Sequence, residues 1–187
     1  MKEKGSRFIC HALPVARRDH AEATITSLSK KYYDATHNCF AYCIGWEDYI
    51  TRFSDDGEPA GTAGKPILNA IRHHDLTNIV VIVTRYFGGT KLGTGGLIRA
   101  YGGVASEALS RASIETIYIQ DIIKLTCLYH HLKTIMSLFE KYSAQIIESD
   151  YAESIFLRVK VRKKFTQSLV SHIIDATAGH VKPSVVT

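Results

Sequence analysis

Seven of the chain's thirteen glycines fall in one stretch, YFGGTKLGTGGLIRAYGG, from Tyr86 to Gly103. Directly before it runs LTNIVVIVTRYF (76–87), whose unbroken apolar centre marks a strand buried on both faces. Within and beyond it, Leu97, Tyr101, Ala105 and Ala108 recur at helical spacing. A buried strand, a glycine turn and a helix must therefore follow one another without a linker. Glycine inside a helix costs about 1 kcal/mol relative to alanine. Such crowding implies a backbone that closely approaches another element or a ligand.

The remaining pattern is mixed. RRDHAEATITSLSKKYY (17–33) puts Ala21, Ile25, Leu28 and Tyr32 on one helical face, with Asp19 and Glu22 at capping-box spacing. ATHNCFAYCIG (35–45) alternates as a strand, with Phe40, Tyr42 and Ile44 opposite His37, Cys39, Ala41 and Cys43. DYITRF (48–53) reads as its hairpin partner and PILNAIRHH (66–74) as a short helix. After residue 115 the succession becomes strand, helix, strand, strand, helix, strand, a ferredoxin-like βαββαβ order in which helices cover one sheet face. The expectation is an α+β chain of two domains, 1–114 and 115–187, joined without a Pro- or Ser-rich linker.

Several classes are excluded by spacing. A phosphate-binding P-loop fails because Pro66 follows Gly64-Lys65 and Pro59 occupies the first glycine position. A dinucleotide fingerprint fails because Ile98 stands in the third glycine position after Gly93 and Gly95. No apolar run reaches the roughly 20 residues that span a bilayer, and the first residues lack the apolar core of a signal peptide. Four cysteines without CxxC pairing read as reduced thiols, so a cytoplasmic location without membrane attachment is expected. The net charge of +5 permits an anionic partner without requiring one.

Three surfaces could carry chemistry. The turn and helix start near Thr94–Gly96 would present backbone N–H groups, with Arg85 and Lys91 nearby, to an anion such as phosphate; tight-turn geometry explains the same glycines equally well. SDDGEPAGTAGKP (54–66) gathers Asp55, Asp56 and Glu58, which suit either Mg²⁺ or ordinary turn chemistry. In ESIFLRVKVRKK (153–164), Arg158, Lys160 and Arg162 alternate with apolar residues, and Lys124 from another strand joins their face. That face suits RNA phosphates, or equally a lysine-defended solvent surface. No cofactor and no metal ligand set is assigned.

FSDDGEPAGTAGKP (53–66) and RYFGGTKLGTGGLIRAYGG (85–103) together resemble the paired hallmark motifs of the IMPACT/YigZ family, uncharacterised protein family 0029. THNCFAY (36–42) resembles its histidine–cysteine strand, with Asn38 in place of a second histidine. The resemblance spans nearly the whole chain and implies a first domain like domain 2 of ribosomal protein S5. It implies a second like the ferredoxin-like C-terminal domains of elongation factor G. It marks Asp55, Asp56, Gly57, Glu58, Pro59, Gly61, Thr62, Gly64, Lys65, Arg85, Tyr86, Gly88, Gly89, Gly93, Gly95, Gly96, Arg99 and Tyr101 as the functional surface. Eukaryotic members act in translational control and carry an RWD domain with no counterpart in these residues, so their partner is not carried over. For bacterial-type members no established reaction is implied.

The leading expectation is a non-catalytic regulator of translation that contacts RNA or the ribosome. In it Lys65, Arg85, Gly88, Gly89, Lys91, Gly93, Thr94, Gly95, Gly96 and Arg99 meet phosphate, and Lys124, Arg158, Lys160 and Arg162 position the second domain. The rivals are a metal-assisted enzyme acting through Asp55, Asp56 and Glu58 on a phosphate-bearing or peptide substrate, and a protein–protein module.

Overall fold

The computed structural model describes residues 1–186; Thr187, the last residue of the expected second domain, lies outside them. The chain divides into two compact units, Met1–Ile114 and the remainder from Glu115.

The first unit is built on an antiparallel sheet. Its strands are β1 (Lys2–Glu3), β2 (Ser6–Pro14), β3 (His37–Ile44), β4 (Ile50–Ser54) and β5 (Ile79–Tyr86), in the order β1-β2-β5-β3-β4. β5 lies between β2 and β3, and that is why its apolar run is unbroken. Val81 and Val83 pack with Phe8, Cys39, Ala41 and Cys43 beneath helices α2 (Gly64–His73) and α3 (Thr94–Ser110). Val80 and Ile82 pack with Phe40, Tyr42 and Ile44 beneath α1 (Arg18–Lys31), through Ala21 and Ile25. The two faces of β3 are those its alternation predicts.

β2 is an element that periodicity did not reveal. SRFICHALP offers only Phe8 as a large buried side chain; Cys10 and Ala12 merely flank the core. Pairing makes the strand, with Phe8 opposite Arg85 and Cys10 opposite Val83. The capping box also fails. Arg17 is the N-cap and makes no side-chain cap bond; Asp19 pairs with Arg17, and Glu22 reaches Arg52 and the Tyr42 hydroxyl.

The glycines divide by what surrounds them. Gly88 crosses Gly5, and a Cβ at Gly88 would lie 1.9 Å from the Gly5 carbonyl carbon. Gly89 and Gly93 have left-handed backbones, φ +85° and +72°. Gly102 faces Pro66 of α2, at 3.7 Å from an added Cβ. Gly103 faces open space.

The second unit runs β6 (Gln120–Cys127), α4 (Tyr129–Tyr142), β7 (Gln145–Tyr151), β8 (Ile155–Arg162), a 3₁₀ turn (Lys163–Phe165), α5 (Thr166–Ala176) and β9 (Ser184–Val186). Its strands are antiparallel in the order β7-β8-β6-β9. Ile123, Leu125, Ile155, Leu157, Val159 and Val161 meet Ile135 and Phe139 of α4 and Leu169 and Ile173 of α5. The opposite strand face, carrying Lys124, Arg158, Lys160 and Arg162, is covered by no helix of this unit. Both units are mixed α+β around antiparallel sheets.

Two glycine substitutions separate packing from propensity. Gly88→Ala is expected to cost about 3 kcal/mol through overpacking against backbone that cannot yield. Gly103→Ala, on an open helix position, is expected to stabilise by up to about 1 kcal/mol. Urea unfolding of both variants checks the pair.

Candidate functional site

β3 and β5 run side by side with His37 opposite Arg85 and Asn38 opposite Thr84. The acidic loop after β4 folds back over this corner. Asp55 closes it: one carboxylate oxygen accepts the N–H groups of Ala63 (2.9 Å) and Gly64 (2.8 Å), the other that of Gly61 (2.8 Å). These bonds cap the start of α2 with a side chain from outside the helix. Burial pushes the Asp55 carboxyl up, but the three amides together hold it below its ordinary value.

Asp56 and Gly57 both take left-handed conformations, φ +44° and +85°, and turn the chain inward. The Asp56 carboxylate accepts the Asn38 N–H at 2.6 Å, and its carbonyl lies 2.7 Å from His37 Nδ1. A Cβ at Gly57 would come within 3.5 Å of the His37 ring. The turn delivers Glu58 to the interior.

Glu58 Oε1 accepts from Arg85 Nη1 at 2.6 Å and from the Tyr101 hydroxyl at 2.8 Å, and His37 Nε2 lies 3.9 Å away. The two charged side chains are only 4% and 5% exposed. Arg85 Nη2 donates to Ser6 Oγ, which also accepts the Gly88 N–H. The rings of Phe8 and Phe87 lie 5.6 and 5.5 Å from the guanidinium carbon, so the cation is held between aromatic faces. Glu58 therefore joins the acidic loop to β5 and α3, and the two signature segments converge.

Their convergence changes several expectations. The anion at Arg85 is the chain's own Glu58, so Arg85 is withdrawn from any phosphate ligand. The three acidic side chains do not share a centre: Asp55 serves three amides, Asp56 one, and Glu58 the guanidinium. Among the described residues no three His, Cys, Asp or Glu groups are arranged to hold a metal ion. Thr62 donates to the Pro59 carbonyl at 2.6 Å and belongs to the same loop turn, as does left-handed Gly61. Gly64 lies under Ser54, where an added Cβ would fall 2.7 Å from its carbonyl oxygen.

The cations left at the surface are Lys65, Lys91 and Arg99, which make no ion pair with any described residue. Arg99 and exposed Thr94, Gly95 and Lys91 lie at or just before the start of α3, whose N-cap Gly93 provides no side-chain cap. Gly96 packs against Leu92, 3.1 Å from an added Cβ.

Ser6, His37 and Tyr101 complete the network, and sequence reading gave none of them this role. Ser6 belongs to the unread strand. Cys39 donates to the Asp55 carbonyl at 3.0 Å, and burial pushes its thiol up to about 12. It is buried in the core beneath α2 and α3. Burial also raises the Tyr101 phenol, with Cys39 and Glu58 adding to the effect, which keeps its proton in place as a donor. Asn38 is satisfied internally, donating to the Tyr32 carbonyl and accepting from Thr84 Oγ1.

Residues 4–109 match the Impact N-terminal domain, and residues 125–180 match a domain of unknown function, DUF1949. The chain is 38% identical over 174 residues to the IMPACT family member YvyE of Bacillus subtilis, covering 93% of this chain and 80% of that one. The chain belongs to the IMPACT family. A second IMPACT relative, YigZ of Escherichia coli, is 36% identical over 181 residues, covering 96% and 89% of the two chains. A solved structure described as a hypothetical protein superposes with a TM-score of 0.69 at 34% identity, covering all of this chain and 92% of that one. No helix among the described residues is long and apolar enough to cross a membrane.

Two predictions follow from the IMPACT corner. Glu58→Gln leaves the Arg85 charge buried without its counter-ion and should cost about 3–5 kcal/mol; adding Arg85→Met should recover part of that loss, read by chemical denaturation. The depressed folded-state value of Asp55 stabilises the fold above the ordinary carboxylate range and is lost as pH falls through it. Asp55→Asn should therefore flatten the acid limb of a stability-against-pH curve below about pH 4.

Proposed function

We propose that this IMPACT protein regulates translation by binding RNA or the ribosome through phosphate contacts, without catalysis. The observation that carries the reading is the open strand face of the second unit. Lys124 of β6 stands directly opposite Arg158 of β8, and Lys160 and Arg162 continue the same face at a spacing of two. Like charges directly opposite in a sheet are destabilising. A fold that keeps such a pair gains from an anionic partner laid across it.

The local partners favour the same reading. Glu148 offsets Arg158 at 2.6 Å, but Lys124 and Lys160 make no ion pair with any described residue. Arg162 lies 3.7 Å from the centroid of the exposed Tyr118 ring. Phe156 precedes Arg158 on the same strand face, between Thr126 of β6 and Asp150 of β7. Cations interleaved with aromatic rings suit single-stranded RNA, whose backbone is neutralised while bases stack.

The first unit supplies a second set in Lys65, Lys91 and Arg99 with the amides of the α3 start. The family resemblance implies folds like domain 2 of ribosomal protein S5 and the C-terminal domains of elongation factor G, both of which sit on ribosomal RNA, and that analogy favours the reading. The family's link to translational control points the same way. A cytoplasmic site of action goes with this reading.

The test is fluorescence anisotropy with a single-stranded ribosomal RNA fragment across a salt series. The combined Lys124→Ala, Lys160→Ala and Arg162→Ala variant should bind more weakly and lower the salt slope by about 2, at roughly 0.7 per lost contact. Absence of binding at low salt, or an unchanged slope, overturns the reading.

A further inference from the structure

The second unit contains a cavity apart from the basic strand face. It has a volume of about 440 Å³ and is lined by Thr126, Cys127 and Leu128 at the end of β6, and by His130 and His131 in the first turn of α4. Ser154 of the β7–β8 turn and His180 and Val181 beyond α5 complete it. None of the four cations on the strand face contributes. We infer that this cavity binds a tetrahedral oxyanion, free or as the terminal group of a phosphomonoester, and does so in a pH-gated manner.

The geometry supplies both the gate and the donors. His130 Nε2 and His131 Nε2 lie 2.9 Å apart, and the His180 ring stacks 6.0 Å from that of His131. With both rings neutral, one Nε2–H donates to the other ring's lone pair, and the site is closed on itself. When both rings are protonated each nitrogen carries a hydrogen, two donors cannot stay at this distance, and the rings part to leave room for an acceptor that takes both hydrogens. A phosphate oxygen is such an acceptor, and His180 adds a third imidazole beside it.

The lining favours negative charge and offers no rival for it. The N-terminus of α4 opens here with no side-chain cap and brings partial positive charge. Ser154 and Thr126 add neutral hydroxyls. No Asp, Glu, Lys or Arg lines the cavity from any of its four segments; Glu153 and Lys182, next to lining residues, are exposed and outside it. The only other titratable group is Cys127, whose thiol burial pushes up and keeps neutral. Burial and the neighbouring His130 and His180 hold the His131 imidazolium below its ordinary range, a penalty that a bound anion would reverse. The three rings do not close around a metal ion.

The experiment is an NMR titration of the imidazoles in the full chain, with inorganic phosphate and with glycerol phosphate. Phosphate should raise the midpoint of at least one of the three rings, and should bind about fivefold more tightly near pH 5.5 than near pH 7.5, as a midpoint rise of one unit gives across that window. His130→Gln combined with His180→Gln should abolish that difference, and Lys124→Ala with Lys160→Ala should leave it intact. Tighter binding of the monoester identifies the terminal group of a larger molecule; equal binding identifies the free ion. Equal affinity at the two pH values, unmoved imidazole midpoints, or loss on changing the strand-face lysines overturns the proposal. The midpoints are read in the unmutated chain, so that readout stands even if the histidine variant fails to fold.

Discussion

A buried ion pair organises the first unit. Glu58 and Arg85 are 27 residues apart in the chain and come from the two segments that mark the family. Burying either charge alone would cost several kcal/mol. Each is tolerated because the other is there, and because Tyr101, Ser6 and two aromatic rings complete its surroundings. Asp55 and Asp56 set up the pair: one fixes the loop by its amides, the other turns it inward. The signature is thus first a folding device, and its charged groups are directed largely at one another.

This arrangement sorts the charges by purpose. The carboxylates that looked like metal ligands are consumed by backbone amides and a guanidinium. Of the cations that remain outside, Lys91 and Arg99 stand around the start of α3 and Lys65 in the first turn of α2. In the second unit a period of two performs the same sorting more simply, with apolar residues under the helices and basic ones on the open face. Both units therefore show cations outward over cores that need none of them.

Much of this was legible in the residues. β5 and β8 declared themselves through an unbroken apolar run and a strict alternation, and the faces of β3 followed from its spacing. What was not legible depends on contacts distant in sequence. β2 has too few large apolar residues to signal a strand, and exists because β5 offers it a register. Glu22 looked like a capping partner of Asp19, but Arg52 and Tyr42, brought near by folding, compete for it successfully. Arg85 looked like a ligand-binding cation because nothing in the sequence says that Glu58 reaches it. Gly88 needed its partner Gly5, which no local pattern reveals.

The central claim is that Glu58 and Arg85 bind the acidic loop and the glycine segment into one cooperative unit. Amide hydrogen exchange under native conditions tests it most directly, comparing the unmutated chain with Glu58→Gln. The account predicts that the amides of Gly61, Ala63 and Gly64 lose protection together with those of Arg85 through Gly88. Loss confined to the acidic loop, with the glycine segment as protected as before, would contradict it.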